Sequence, residues 1–252
     1  MKPPSELIQL AHVLGDPPND LCIEAEGNVS ADAGDGTLWI KGSGKAMRQI
    51  DADGFAHVHQ EPVLRVLYGT ADLSESDVRA ALNAALVDPA AKTLPSTETY
   101  MHAGLIQMTG CTYIAHSHPT PLLSILALPE ARQLAERRLF PDEIVLCGPA
   151  TCFVPYVAPG LPLARAIVAS VKEFNERYRI LPKTLWLENH GLIVLACSGR
   201  EAASTSLMAV KAARVLLGAL QTGRELKWLT DEEVAQIHHW PDEHYRQSQL
   251  WG

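Results

Sequence analysis

Thr112-Tyr113-Ile114-Ala115-His116-Ser117-His118-Pro119 is rich in Tyr and Ile and predicts a β-strand. Strand side chains point alternately to the two faces, so His116 and His118 share one face and Ser117 takes the other. Two imidazoles on one face can chelate a single ion. Pro119 ends the strand, and Pro121 suits the first turn of a following helix.

An ion that still has room for substrate needs a third protein ligand. Asn189-His190-Gly191 is the best candidate, because it lies between two apolar runs and Gly191 permits a tight backbone beside an ion. His57-Val58-His59 has the same spacing as His116 and His118 and competes with them. It follows Gly54 in a stretch rich in Asp and Gln, with no proline-fixed exit, and reads as a surface or loop pair. His238-His239 reads as a solvated helix end. His12, His102 and His244 have no partner nearby in sequence.

Working outward, residues 5–14 predict a helix stopped by Gly15. Residues 38–41 predict a strand that runs into the turn Gly42-Ser43-Gly44. Ser74-Glu75-Ser76-Asp77 is a capping signal for a helix through Val87. Residues 97–108 predict a helix closed by Gly110, and residues 143–147 predict another strand. Pro162 opens a helix through Tyr178, with Leu163, Ile167, Val168, Val171 and Phe174 at helical spacing. Residues 184–187 and 191–197 predict a hairpin or two linked strands. Residues 200–220 predict the longest helix, with Leu207, Val210, Ala213, Val215 and Leu216 as core contacts. The fold class is α/β: helices layered on both sides of a sheet that need not be parallel. No repeat or long linker divides the 252 residues, so one domain over 1–252 is expected.

Composition narrows the function classes. Lys and Arg total 21 against 29 Asp and Glu, a net charge of −8 with no basic block. That argues against a nucleic-acid partner. Cys22, Cys111, Cys147, Cys152 and Cys197 are dispersed and form no Cys-x-x-Cys, which reads as reduced thiols, mostly buried. Residues 1–20 hold no apolar core of the signal type, and no apolar run reaches transmembrane length. A cytoplasmic protein without a membrane partner is expected.

Three segments are candidates for anion binding and proton transfer. Pro95-Ser96-Thr97-Glu98 opens a helix, where Ser96 or Thr97 can cap it and Glu98 falls in the first turn. Hydroxyls and free amides at a helix start make an anion site. A carboxylate beside a metal can move a proton at a carbon next to a coordinated carbonyl. Gly27-Asn28-Val29-Ser30 and Gly42-Ser43-Gly44-Lys45 are turns whose amides can approach phosphate or carboxylate oxygens. The second is not a Walker A loop, because Trp39 stands where its first glycine belongs and Ala46 replaces Ser or Thr.

Taken together and in order, Gly27-Asn28-Val29-Ser30, Gly42-Ser43-Gly44, Pro95-Ser96-Thr97-Glu98, His102, His116-Ser117-His118-Pro119 and Asn189-His190-Gly191 resemble the class II aldolase/adducin family. The resemblance spans residues 5 to 220; a tail of about 225–252 matches poorly. It favours His116 and His118 over His57 and His59.

The resemblance implies a three-layer α/β/α fold around a central, largely antiparallel sheet. It implies one divalent ion per subunit on His116, His118 and His190, with zinc expected and manganese or cobalt as alternatives. By position, Glu98 would be the catalytic acid/base. Asn28, Ser43, Gly44, Ser96 and Thr97 would surround the anion of a small sugar-phosphate or sugar-acid substrate. Tyr245 would be a C-terminal catalytic tyrosine brought into a neighbouring site. The family commonly forms homotetramers.

The activity expected is lyase chemistry of carbohydrate metabolism, cleavage of a ketose-phosphate C–C bond through a metal-stabilised enediolate. Glu98 stands where 4-epimerases usually carry Asp, which favours aldol chemistry over epimerisation. Decarboxylation of a 3-oxo acid, epimerisation or dehydration are the alternatives within the family. A non-catalytic adducin-like scaffold is the alternative outside catalysis. The segment Trp39 to Gly44 is similar to the aldolase portion of two-domain rhamnulose-phosphate aldolase/dehydrogenase proteins; no second domain is expected in this chain.

Overall fold

The structure, a computed structural model, describes residues 1–241. His244 and Tyr245 lie outside the described residues. The strands are β1 (Asn28–Asp32), β2 (Thr37–Lys41), β3 (Phe55–His59), β4 (Tyr113–Ser117), β5 (Cys152–Val154), β6 (Thr184–Leu187) and β7 (Gly191–Ala196). They form one sheet in the order β3-β2-β1-β4-β7-β6-β5. Every neighbouring pair is antiparallel except β5 with β6.

The helices are α1 (Ser5–Gly15), α2 (Gln60–Tyr68), α3 (Glu75–Ala84), α4 (Thr99–Thr109), α5 (Thr120–Leu126), α6 (Ala131–Ala135), α7 (Pro141–Cys147), α8 (Leu161–Tyr178), α9 (Gly199–Leu220) and α10 (Asp231–His238). One core joins Ile40, Val58, Ile114, Leu185 and Ile193 of the sheet to apolar faces of α2, α3, α4 and α8. A second joins Val29, Trp39, Ala115, Leu192 and Val194, on the opposite sheet face, to α1, α5 and α9. Alternation along the strands sorts these residues between the cores, as a sheet covered by helices on both faces requires. Each large side chain so buried contributes roughly 1.5–3 kcal/mol. The expected three-layer α/β/α architecture with a largely antiparallel sheet is the one observed.

Several local expectations change. Residues 143–147 are not a strand but most of α7. Pro141 occupies its first turn, Asp142 and Glu143 favour the positive helix end, and Glu143 lies 3.8 Å from the buried Arg138 guanidinium. Those start signals outweigh the strand propensity of Ile144-Val145. The strand of this region is β5, only three residues long. α3 carries the expected Ser74–Asp77 capping box but ends at Ala84, and Leu86 then bridges to Val58. His57 and His59 lie on strand β3 rather than in a loop, with His59 at the surface and His57 partly buried. On α9, Val210, Ala213 and Leu216 are buried as expected, whereas Leu207 and Val215 are 40% and 44% exposed.

By length and hydropathy alone α9 could cross a membrane, which the sequence expectation had excluded. Here it is a core helix: Ala202, Ala209, Val210 and Ala213 face the second core, while Lys211 and Arg214 stay exposed. Four cysteines are buried and Cys197 is exposed, all five as free thiols.

Candidate active site

The imidazole cluster forms where β4, the β6–β7 turn and the start of α4 meet. His116 shares the parity of Ile114 and so faces the α4 layer, while Ser117 shares that of Ala115. Gly191, first residue of β7, lets the two strands close up: a Cβ there would lie 2.4 Å from the Ser117 carbonyl oxygen and 2.8 Å from His118 Cδ2. Gly27 does the same for β1, with φ at +62° and room for no side chain against the His116 carbonyl. The β1–β4 register then sets Asn28 directly beside His116.

The ligand nitrogens of His116, His118 and His190 lie within 4.8 Å of one another, and those of His116 and His118 are 3.1 Å apart. Two nitrogens bound tetrahedrally to zinc at about 2.0–2.1 Å would stand roughly 3.3 Å apart. His116 Nδ1 donates to the Leu192 carbonyl at 2.9 Å, which leaves the Nε2 lone pair facing the other rings. An outer hydrogen bond of this kind fixes tautomer and orientation in metal-ligating histidines. Burial pushes His118 down to about 3 and His190 down to about 4, helped by neighbouring imidazole charge. Both rings are therefore neutral donors near pH 7. The geometry, the donor set and the tautomer all fit one divalent ion.

Glu98 is the N-cap of α4, not a first-turn residue capped by Ser96 or Thr97. Its Oε2 is 3.5 Å from His116 Nε2 and its Oε1 is 3.6 Å from His190 Nε2. The side chain is 14% exposed. Burial opposes its ionisation, but His116, the Asn28 amide and His190 together hold the carboxyl below its usual range. Asn28 Nδ2 donates to Glu98 Oε2 at 2.5 Å and to Ser96 Oγ at 3.4 Å. Ser96 Oγ in turn accepts the Glu98 N–H at 3.3 Å.

The glycine turn reaches this corner through the backbone. Gly42 forms a bridge with Pro95, and the Ser43 N–H donates to Leu94 O at 2.9 Å. Ser43 and Gly44 are thereby set alongside Pro95-Ser96, both exposed. Thr97 departs from the expected rim: it is exposed and lines a separate cleft of about 690 Å³ with Tyr100, Arg79 and Arg165.

Two residues gain parts that sequence had not assigned. Lys41 is 2% exposed, and its Nζ donates to Ala25 O at 2.8 Å and Lys45 O at 2.7 Å. It thus ties the loop before Asn28 to the glycine turn. The available signal was a lysine ending an otherwise apolar strand. His102, without partners nearby in sequence, is fully buried and bonds to both Asn28 and Ser30. Of the competing pair, His57 is engaged elsewhere, stacked on Trp39 at 4.1 Å and donating to Thr37 Oγ1 at 2.7 Å, while His59 is exposed. His12 bonds to Ile50 O.

Comparison with known proteins gives the family and the fold. The family model described as Class II Aldolase and Adducin N-terminal domain matches residues 6–217. An "Uncharacterized oxidoreductase YuxG" of Bacillus subtilis (strain 168) is 26% identical over 156 residues. The match covers 62% of this chain and only 20% of that protein, so the chain spans about a fifth of this relative's length. YgbL of Klebsiella pneumoniae, titled a putative aldolase/epimerase/decarboxylase, superposes with TM-score 0.69 at 21% identity, covering 92% of this chain and 96% of that one. An L-fuculose 1-phosphate aldolase superposes with TM-score 0.69 at 19% identity, covering 97% and 98%. These structural likenesses speak for the fold. With the family model spanning most of its length, the chain belongs to the class II aldolase and adducin family.

Proposed function

We propose that the protein is a metal-dependent lyase that cleaves a C–C bond of a small ketose phosphate or related sugar acid. The observation that carries this reading is the Glu98 carboxylate, 3.5 and 3.6 Å from two imidazoles of a cluster fit for one ion. His116, His118 and His190 would hold the ion, with zinc the expected metal, since three imidazoles and an open position suit it. When bound, the ion supplies Lewis acidity toward a substrate carbonyl and its neighbouring hydroxyl.

The remaining work falls to the chain. Glu98 gives or takes the proton at the carbon that becomes electron-rich as the bond breaks. The Gly44 amide and the Ser43 and Ser96 hydroxyls, brought alongside one another by the Gly42–Pro95 bridge, are offered to the substrate's distant anion and orient it. Thr97, which lines the separate cleft with Arg79 and Arg165, is left out of this set. Tyr245 is proposed as a catalytic contributor from the C-terminal tail, and a homotetramer as the working form.

The test is a panel of ketose phosphates and 3-oxo acids, with elemental analysis of the same sample. Aldehyde release with about one equivalent of divalent metal per chain supports the reading. Carbon dioxide release would assign decarboxylation instead. Absence of metal and of turnover would leave a non-catalytic role of the adducin kind. Glu98→Gln should keep the metal and lose turnover.

A further inference from the structure

We propose that His102 is a positioning residue, which fixes the orientation of the Asn28 amide and through it the place of the Glu98 carboxylate. The proposal rests on Glu98 being the proton-transfer group of the reading above. Ser30 and His102 are fully buried and Asn28 is 2% exposed, so their polar atoms must be matched inside the protein. Ser30 Oγ lies 2.6 Å from His102 Nδ1, His102 Nε2 bonds to Asn28 Oδ1, and Asn28 Nδ2 bonds to Glu98 Oε2 at 2.5 Å.

The direction of this chain follows from its end. A carboxylate only accepts, so Asn28 must turn its NH2 to Glu98 and its carbonyl to His102. That carbonyl also only accepts, so His102 must carry its proton on Nε2. Nδ1 is then an acceptor, and the Ser30 hydroxyl donates to it. With the proton on Nδ1 instead, the Asn28 amide would turn over and set its carbonyl oxygen against the carboxylate. One ring proton therefore decides whether Glu98 is held or repelled, in a buried setting where each such bond is strong. Both ring nitrogens of the fully buried His102 are taken by Ser30 and Asn28, which leaves none for substrate or ion.

The experiment uses the whole 252-residue chain, metal-free, labelled with ¹⁵N at histidine and asparagine. Long-range ¹H–¹⁵N correlation reads the His102 tautomer, and the Asn28 side-chain amide protons read its orientation. The expected result is Nε2–H at His102 and one Asn28 proton shifted and protected from exchange. His102→Gln, whose side-chain amide can replace the Nε2 donor, should keep the Asn28 signature; His102→Phe should lose it. On any substrate that the panel finds, His102→Phe should lower kcat about tenfold or more with little change in KM or metal content, and His102→Gln should recover most of it. An Nδ1–H tautomer, or an unchanged Asn28 signature in His102→Phe, overturns the proposal. Should His102→Phe misfold, the wild-type tautomer and His102→Gln decide. Should wild-type protein turn over nothing, the function reading fails while the two spectroscopic results still decide this one.

Discussion

Gly191→Ala isolates the close approach that builds the imidazole cluster. The backbone at Gly191 is β-strand and accepts alanine, so the perturbation is steric alone. The added Cβ would lie 2.4 Å from Ser117 O and 2.8 Å from His118 Cδ2. An ordinary carbon–oxygen contact is about 3.3 Å or more, so β4 and β7 must part by most of an ångström. Metal–ligand distances tolerate about 0.2 Å. His118 and His190 flank the displaced pair, so the three nitrogens lose their common centre. Metal affinity should fall at least 10–100-fold. Overpacking of this kind costs about 1–3 kcal/mol, a Tm drop of roughly 2–12 °C for a chain this size. Competition titration with zinc and a chromophoric chelator reads the affinity, and thermal denaturation of metal-free protein reads the stability. Wild-type affinity in Gly191→Ala, with the fold intact, would refute the argument.

Acid should weaken the metal-free protein in a defined window. His102 is pushed down to about 3, first by burial and then by the His116 charge. Its unfolded value is near 6.5. As pH falls the unfolded chain takes the proton first, so stability present above about 6.5 is lost on the way to 3. At about 1.4 kcal/mol per pKa unit, this one buried group contributes at most roughly 5 kcal/mol. Urea midpoints from pH 7 to 4 should therefore drop, and His102→Gln should flatten the slope. Arg138→Met should cost about 3–5 kcal/mol in urea unfolding, because it leaves Glu143 buried without its cation and strips donors from Gly148 O, Ala135 O, Arg137 O and Thr151 Oγ1. Lys41→Met keeps the stem but leaves the Ala25 and Lys45 carbonyls without their donor; a loss of roughly 1–3 kcal/mol and faster proteolysis of residues 22–27 and 42–46 are expected.

Legibility in the sequence followed the range of the interactions. The strand bearing His116, the α3 capping box and the α8 stripe are local patterns, and each stands where periodicity or capping chemistry placed it. Residues 143–147 misled because four apolar residues fit strand and helix alike, and only Pro141-Asp142-Glu143 ahead of them distinguishes the two. Leu207 and Val215 look like core by type; the face they occupy depends on how α9 is rolled against the sheet, which no local signal sets. At the site, His116 and His118 were legible from alternation and His190 from its glycine. The Ser30–His102–Asn28 chain was not, because it joins β1 to α4 across more than 70 residues and is made of contacts alone.

The central claim is that His116, His118 and His190 hold one divalent ion beside Glu98. Anomalous diffraction at the zinc edge, from crystals of zinc-loaded protein, tests it most directly. The account predicts a single strong peak about 2.0–2.1 Å from one nitrogen of each of the three rings. No peak there, or a peak on His57 and His59 instead, would contradict it.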